Sequence, residues 1–287
     1  MYNLIIKGIT LVCAVLLICS CQKKEQPLPP PEARSEQQLD TEYRALLAEA
    51  GLYGGGSPPS PVQIEPGQYG MLLMIAAGHG STELLVRLLA ARPDISLNVK
   101  ADGRSLLHAA AVTLHATNSN LLLERGLDPN SQDTQGRTPL HLVVSQADGV
   151  NLARLLLARG ARVDIRDEKG LTPLLSAIPA SIQLLLNKGA ELSVQDALGN
   201  SALHWAVYRK AYETADSLIA LGLSPEIQNV AGKTALHSAI MAPDPKMVQL
   251  LLKAGAKTDT QDISGISPRE AAEKSGNKAI KALFNLP

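Results

Sequence analysis

The sequence predicts an all-α solenoid in which helix-turn-helix units, joined by short β-hairpin-like loops, are stacked side by side. Three observations lead to this prediction. Two different motifs recur in phase with a period close to 33 residues, which is typical of repeat architectures. Hydrophobic residues make up 45% of the 287-residue chain, enough for a core. Aromatic residues make up only 3%, so that core must be filled by Leu, Ala, Ile and Val, which favours closely packed helices.

Composition and charge exclude several functional classes. Lys plus Arg and Asp plus Glu each number 27, so the formal net charge is zero and a strongly basic nucleic-acid-binding protein is excluded. With one Trp and one Phe, the chain also lacks the rings of a platform for stacking bases, and we expect no nucleic-acid partner. Its three cysteines are Cys13, Cys19 and Cys21, so we expect no disulfide, cysteine nucleophile or thiolate metal site in the folded part.

Residues 1–20 are predicted to be a signal peptide. Lys7 is followed by an apolar run over residues 8–20, which is shorter than the ~20 residues of a membrane-spanning helix. The run ends in Ile18-Cys19-Ser20-Cys21, which resembles the lipobox of bacterial lipoproteins. The resemblance implies cleavage before Cys21 and a diacylglyceryl group on its thiol, which would anchor the chain to a membrane. An ordinary signal peptide that contains Cys is the alternative.

Residues 21–66 are predicted to form a lipidated tether. This segment is rich in Pro and Gly, and it includes a short helix over residues 40–50. The stacked repeats are predicted to occupy residues 67–287. Gln22 follows the lipidated Cys. Because Asp at this position retains lipoproteins in the inner membrane of well-studied Gram-negative bacteria, its absence implies the outer membrane, with the chain facing the periplasm.

The first repeated motif places a Gly shortly before a Ser or Thr, an apolar pair and often a His. Its glycines are Gly103, Gly136, Gly170, Gly199, Gly232 and Gly265. The second motif is a leucine-rich segment that ends in Gly126, Gly160, Gly189, Gly222 and Gly255. Thr138-Pro139 and Thr172-Pro173 provide a hydroxyl at a helix N-cap and Pro at the first helical position. The terminal glycines allow the left-handed conformation that ends a helix.

These motifs resemble the ankyrin repeat, whose signature combines G-x-T-P-L-H-x-A-A, a Leu-rich second helix and G-A-D-x-N-x-x-D. The resemblance covers nearly the whole chain after the tether and implies about six to seven repeats with atypical ends. It also implies protein binding through the hairpin tips and the concave face of the first helices. One repeat departs from the pattern: the repeat from Gly170 is shorter than the others, and Pro179 stands where its first helix should end. We expect a shortened first helix and a local change in curvature there.

Four of the six histidines occupy the same position of the repeat and are the main candidates for chemistry. They are His108, His141, His204 and His237. The resemblance implies that each one hydrogen-bonds the backbone of a neighbouring repeat and is structural. A ligand or base function at one of them is the alternative. Helices in adjacent repeats lie about 10 Å apart, too far for two such imidazoles to share a zinc ion at ~2 Å bonds.

Aspartates also recur, one to three residues before the hairpin Gly. They are Asp102, Asp133, Asp167, Asp196 and Asp262. We interpret them as turn residues whose side chains hydrogen-bond local backbone. The chain has no GxSxG, P-loop or HExxH motif. We therefore expect no enzymatic activity, no cofactor, no metal site and no small-molecule substrate; a hydrolase stays open as a rival class.

The candidate binding surface follows from placing the hairpin tips and first helices of the family on this sequence. It comprises Arg104, Gln135, Arg137, Lys169, Tyr208, Arg209 and Lys233. The five cations among them are predicted to form a mildly basic ridge, so the partner is hypothesised to be an acidic protein. The alternative is that they are ordinary solvated charges. Tyr208 beside Arg209 is the pair most typical of an interface, because Tyr and Arg are enriched among hot spots.

The sequence thus predicts a non-catalytic protein-binding module that is lipid-anchored through Cys21 in the bacterial cell envelope. Its partner is an unknown protein. One alternative role is that of an immunity protein that neutralises a secreted toxin acting in the periplasm, such as a phospholipase. Another is that of an envelope scaffold or stress-response adaptor. A cytoplasmic effector exported into a host would require an N-terminus that is not a lipobox.

Overall fold

The computed structural model describes residues 35–50, 52, 57–101 and 103–286. Over these ranges the chain forms seven consecutive pairs of helices, preceded by one further helix, in the predicted all-α solenoid. We number the pairs as repeats 1 to 7. In the part of the chain that is described, none of the helices combines the length and apolar character needed to cross a bilayer.

The helix preceding the repeats is α1 (Glu36–Glu49), and a 3₁₀ turn at Pro61–Gln63 leads into repeat 1. The helices of repeats 1 to 4 are α2 (Pro66–His79), α3 (Thr82–Ala91), α4 (Leu106–Val112), α5 (Ala116–Glu124), α6 (Pro139–Val143), α7 (Val150–Ala158), α8 (Pro173–Ser176) and α9 (Pro179–Asn187). The helices of repeats 5 to 7 are α10 (Ala202–Tyr208), α11 (Tyr212–Ala220), α12 (Ala235–Met241), α13 (Pro245–Lys253), α14 (Pro268–Lys274) and α15 (Lys278–Leu283).

The helix ends follow the predicted signals. Thr138 and Thr172 stand at N-caps with extended backbone, and the Pro after each is the first helical residue. The glycines that follow the second helices of repeats 2 to 6 all have φ between 82° and 91°. This left-handed conformation is favourable only for Gly, so each of these residues ends a helix without strain.

The loops between repeats are hairpins, and in five of them the turn is built by an Asx side chain. One of them contains two short antiparallel strands, β1 (Lys100–Ala101) and β2 (Arg104–Ser105). In the next turns an acceptor oxygen of the side chain receives two backbone N–H groups, as when Asp167 Oδ1 accepts from Lys169 and Leu171 at 2.8 Å each. Equivalent pairs occur at Asp133, Asp196, Asn229 and Asp262. These contacts agree with the turn interpretation; Asp102 lies outside the described residues.

Adjacent hairpins are joined by backbone hydrogen bonds. The Glu168 N–H donates to the Gln135 carbonyl at 2.9 Å, and the Val230 N–H donates to the Leu198 carbonyl at 3.0 Å. Bonds of the same kind link Ala197 to Lys169 and Ile263 to Ala231. The hairpin tips of repeats 3 to 7 therefore form one continuous edge.

A single hydrophobic cluster runs through the described array, from Leu39 in α1 to Phe284 after α15. Leucines from first helices, such as Leu140, and from second helices, such as Leu156 and Leu185, are fully buried in it. Because each pair of helices covers its neighbours, the interfaces between repeats supply most of the stability.

The structure differs from the sequence expectation at α1. We expected a tether over residues 21–66 with a short helix at 40–50 and repeats from 67 onward. Instead the helix begins at Glu36, where the Ser35 hydroxyl accepts from the Gln38 N–H in a capping box. Leu39, Leu46 and Leu47 are buried in the shared cluster. The folded body thus starts before residue 67. Helix α1 covers the apolar side of repeat 1 that faces away from repeat 2.

Repeat 4 has the expected shortened first helix. Helix α8 has four residues, compared with seven in α10 and α12. Pro179 is the first residue of α9, and Ala177 and Ile178 before it are extended, because the residue preceding Pro disfavours the helical region. The expected change in curvature stays a prediction.

Candidate functional site

The four repeated histidines form the same hydrogen bonds in each repeat. Their Nδ1 atoms accept the backbone N–H of the N-cap residue and face its hydroxyl, as in Ser201 and His204 at 3.2 and 2.9 Å. Their Nε2 atoms lie 2.9–3.1 Å from a carbonyl of the next repeat. The pairs are His108 with Arg137, His141 with Leu171, His204 with Lys233 and His237 with Ile266. Each ring therefore links two repeats, as the resemblance implies, and uses both nitrogens to do so.

This arrangement requires a neutral imidazole with its proton on Nε2. Burial lowers the pKa of His108, His141 and His204, and this effect exceeds that of the hydrogen bonds to carbonyls, which favour the charged form. A protonated ring would place an N–H against the N–H of the N-cap residue.

These shifts predict an acid-sensitive fold. Between the lowered pKa values and the ordinary value of 6.5, the unfolded chain binds more protons than the folded chain, so the free energy of unfolding falls as the pH falls. The loss is at most about 1.4 kcal/mol per pH unit for each histidine. Urea unfolding at a series of pH values from 7 downward measures it. NMR titration of the ring protons provides the control: midpoints at or above 6.5 for these three rings would contradict the prediction.

Asp133 ties two of the candidate cations to a hairpin turn. Its Oδ2 accepts from the Arg137 guanidinium at 2.8 Å, and Arg104 Nε lies 3.9 Å away. Burial alone would raise the pKa of Asp133, but hydrogen bonds from the Arg137 side chain and from the N–H groups of Arg137 and Gln135 together lower it. Arg137 is therefore part of the turn, and its charge is largely neutralised there.

The other hairpin-tip candidates are less constrained. Gln135 and Lys169 are exposed, and no hydrogen bond or ion pair of the Lys169 ammonium is recorded among the described residues. Lys233 is half-buried, with Nζ 3.2 Å from Met241 Sδ. Lys169 thus presents its charge to solvent, whereas Lys233 lies along the end of α12.

Tyr208, Arg209 and Trp205 form one cluster at the end of α10. The Trp205 and Tyr208 rings meet edge to face with centroids 5.5 Å apart, and the Arg209 guanidinium lies 5.1 Å from the Trp205 centroid. Trp205 Nε1 donates to Asp196 at 2.9 Å, which fixes the ring. Tyr208 is 79% exposed. The cluster therefore presents an exposed tyrosine, a residue type enriched among hot spots, on a packed support.

A groove of about 690 Å³ lies at repeat 4. It brings together five of the seven candidate residues, and Tyr208 and Lys233 are not among its walls. The five are Arg104, Gln135, Arg137, Lys169 and Arg209. Its walls also include Ser176, Ala177 and Ile178, just after the shortened helix. Sequence reasoning did not single out these three residues, although the missing length of the repeat and Pro179 indicated an irregularity there.

Exposed aliphatic side chains at the tips of the later hairpins were also missed. Leu198, Val230 and Ile263 are 63%, 67% and 76% exposed in three consecutive hairpins. The corresponding tips of the two preceding hairpins carry Gln135, Glu168 and Lys169 instead. The hairpin edge is therefore polar in its first half and aliphatic in its second half. Among the described residues, no group of three or more His, Cys, Asp or Glu side chains could hold a metal ion.

Comparison with known proteins identifies the repeat. The family model described as "Ankyrin repeats (3 copies)" matches residues 62–133, 119–196 and 177–262, which together cover more than half of the chain.

Curated relatives match part of the chain. Human neurogenic locus notch homolog protein 2 is 31% identical over 190 residues, covering 62% of this chain and 7% of that protein. Mouse neurogenic locus notch homolog protein 1 is 38% identical over 124 residues, covering 42% of this chain and 5% of that protein. The chain thus spans less than a tenth of the length of these relatives.

Solved structures of ankyrin repeat domains are also similar to this chain. The ankyrin repeat domain of Bcl-3 superposes with a TM-score of 0.63 at 25% identity, covering 74% of this chain and 97% of that one. An ankyrin repeat domain from Acinetobacter baumannii gives a TM-score of 0.54 at 31% identity, covering 62% and 95%.

Proposed function

Since the chain belongs to the ankyrin-repeat family, whose repeats are non-catalytic protein-interaction modules, we propose that it binds a partner protein on its first helices and hairpin tips. We propose further that a lipid on Cys21 anchors it in a bacterial envelope.

One observation carries the binding proposal: large side chains are exposed where a folded monomer gains nothing from exposing them. Tyr208 and Met241 end the first helices of repeats 5 and 6 with 79% and 62% of their surface exposed. Leu198, Val230 and Ile263 continue this exposure along the hairpin edge. Large apolar side chains left exposed along one edge support an interaction site there.

The binding surface is preorganised. Its tips are held by backbone hydrogen bonds between hairpins, and its first helices are held by the histidine links between repeats. A surface that is ordered before it binds loses little conformational entropy on docking, so more of the contact energy appears as affinity.

The anchor proposal rests on the sequence. Cys21 and residues 1–20 lie outside the described residues, and the lipobox-like Ile18-Cys19-Ser20-Cys21 supports the proposal. Gln22 after the Cys supports an outer-membrane position facing the periplasm. The similar Acinetobacter baumannii domain shows that ankyrin repeats occur in bacterial proteins.

The test begins with the anchor. The full chain is expressed in a Gram-negative bacterium, labelled with palmitate and fractionated. We expect the Cys21→Ser variant to lose both the label and the membrane association, and the matched Cys19→Ser variant to keep them. Label retained by Cys21→Ser would refute lipidation at this residue.

The second arm identifies the partner by cross-linking in intact envelopes, with mass spectrometry of what the chain captures. We expect Tyr208→Ala to reduce capture at least tenfold, because truncation of a hot-spot residue costs about 2 kcal/mol or more. Val86→Ala, at an exposed apolar residue of α3, is the control and should capture normally. If Tyr208→Ala and Val86→Ala capture the partner equally well, the proposal that Tyr208 belongs to the binding surface is refuted. An imported toxin as partner would favour immunity; a resident envelope protein would favour a scaffold.

A further inference from the structure

The groove lies where the first helix of repeat 4 is shortest: α8 has four residues, whereas the first helices of repeats 5, 6 and 7 have seven each. Helix α8 ends at Ser176, after which Ala177 and Ile178 adopt ψ values of 144° and 164°. In repeat 5 the helix α10 continues for seven residues over the equivalent stretch. The space of the missing turn becomes the groove of about 690 Å³, a size within the ~300–1,000 Å³ of ligand sites.

Part of the backbone in this groove is unpaired. The Ile178 N–H donates to the Val144 carbonyl at 3.0 Å, and Arg209 Nη1 donates to the Leu175 carbonyl at 2.9 Å. The carbonyls of Ser176 and Ala177 accept no hydrogen bond from any described residue. Extended backbone with unpaired carbonyls can accept the N–H groups of an added extended peptide.

Cations outnumber carboxylates along the groove. Arg104, Arg137, Lys169 and Arg209 line it, against two acidic residues, Asp167 and Glu168. One oxygen of Asp167 is occupied by two backbone N–H groups of its own turn.

Two of these cations are placed to meet a ligand. Arg137 is paired with Asp133, but Lys169 is exposed, and Arg209 lines the groove while donating one N–H to Leu175. The excess positive charge selects a partner with carboxylates, since charge complementarity across an interface determines specificity and association rate.

We propose that this groove binds an extended acidic segment of the partner protein. The N–H groups of the segment would donate to the Ser176 and Ala177 carbonyls, and its carboxylates would lie at Lys169 and Arg209. The proposal rests on the protein-binding function above and adds the chemistry of the partner and the place where it docks.

The probe for this proposal is a fluorescein-labelled octapeptide of alternating Glu and Val, added to the full chain in detergent and followed by fluorescence anisotropy. The Glu peptide is expected to bind at least tenfold more tightly than a peptide of alternating Gln and Val. The Lys169→Glu variant should weaken Glu-peptide binding about tenfold. Lys188→Glu, an exposed lysine of the same repeat that does not line the groove, should leave binding unchanged.

Three results would overturn the proposal: no binding of the Glu peptide, equal binding of both peptides, or equal effects of the two lysine variants. N-methylation of alternate residues of the Glu peptide tests the backbone contacts. It should weaken binding about tenfold, and unchanged affinity would refute the backbone contacts.

Partner capture separates this proposal from the function it rests on. If Lys169→Glu captures the partner normally while Tyr208→Ala does not, the chain binds protein but not through the groove. If both variants capture as well as the wild type, the proposed binding surface itself fails. Loss of capture in Lys169→Glu but not in Lys188→Glu supports the acidic segment.

Discussion

Replacing Leu185 with Ala is expected to lower the free energy of unfolding by about 2–5 kcal/mol. Leu185 lies in α9, is fully buried and belongs to the cluster that joins neighbouring repeats. Truncation removes apolar surface from the interface and leaves a cavity that short helices fixed on both sides cannot fill by moving. Equilibrium unfolding in urea, followed by far-UV circular dichroism, measures the loss.

The same substitution at Leu198 is the matched control, because this leucine is 63% exposed at a hairpin tip. Its replacement should change the free energy of unfolding by less than about 0.5 kcal/mol, as is usual for surface sites. Similar losses for the two variants would contradict the assignment of stability to the interfaces between repeats. A loss of less than about 1 kcal/mol for Leu185→Ala would do the same.

Local motifs predicted the elements of this fold because their physics is local. A Thr-Pro pair starts a helix, a Gly ends it in the left-handed region, and an Asp closes a turn on its own backbone, whatever surrounds them. The repeat of these signals then predicted the stacking. The shortened helix of repeat 4 was predictable for the same reason, since Pro179 disfavours a helical conformation at the residue before it.

Contacts between residues that are distant in the sequence could not be predicted from local motifs. Asn118 is fully buried, and its amide donates to three carbonyls near the end of α2, Ala76, Ala77 and Gly80, yet no motif indicates it. The packing of α1 was missed because its three buried leucines stand among charged residues. The predicted basic ridge included Arg137, whose pairing with Asp133 depends on a turn geometry that charge counting does not reveal.

Replacement of Thr by Val is expected to have opposite effects in repeats 3 and 4. Thr138 and Thr172 occupy the same N-cap position and are both almost fully buried. The Thr138 hydroxyl lies 2.9 Å from His141 Nδ1. In repeat 4 the histidine is replaced by Leu175, and the Thr172 hydroxyl has no hydrogen-bond partner among the described residues.

Val has nearly the shape of Thr but lacks the hydroxyl. Thr138→Val should therefore lose a hydrogen bond and about 1 kcal/mol of stability, whereas Thr172→Val removes an unsatisfied buried group and should gain about 1 kcal/mol. Urea unfolding of the two variants side by side should show a difference of about 2 kcal/mol. If the two variants lose equal amounts of unfolding free energy, the Thr172 hydroxyl does have a hydrogen-bond partner. The absence of the histidine would then not weaken repeat 4. The predicted gain would instead show that repeat 4 buries an unsatisfied hydroxyl where repeats 2, 3, 5 and 6 have a histidine link.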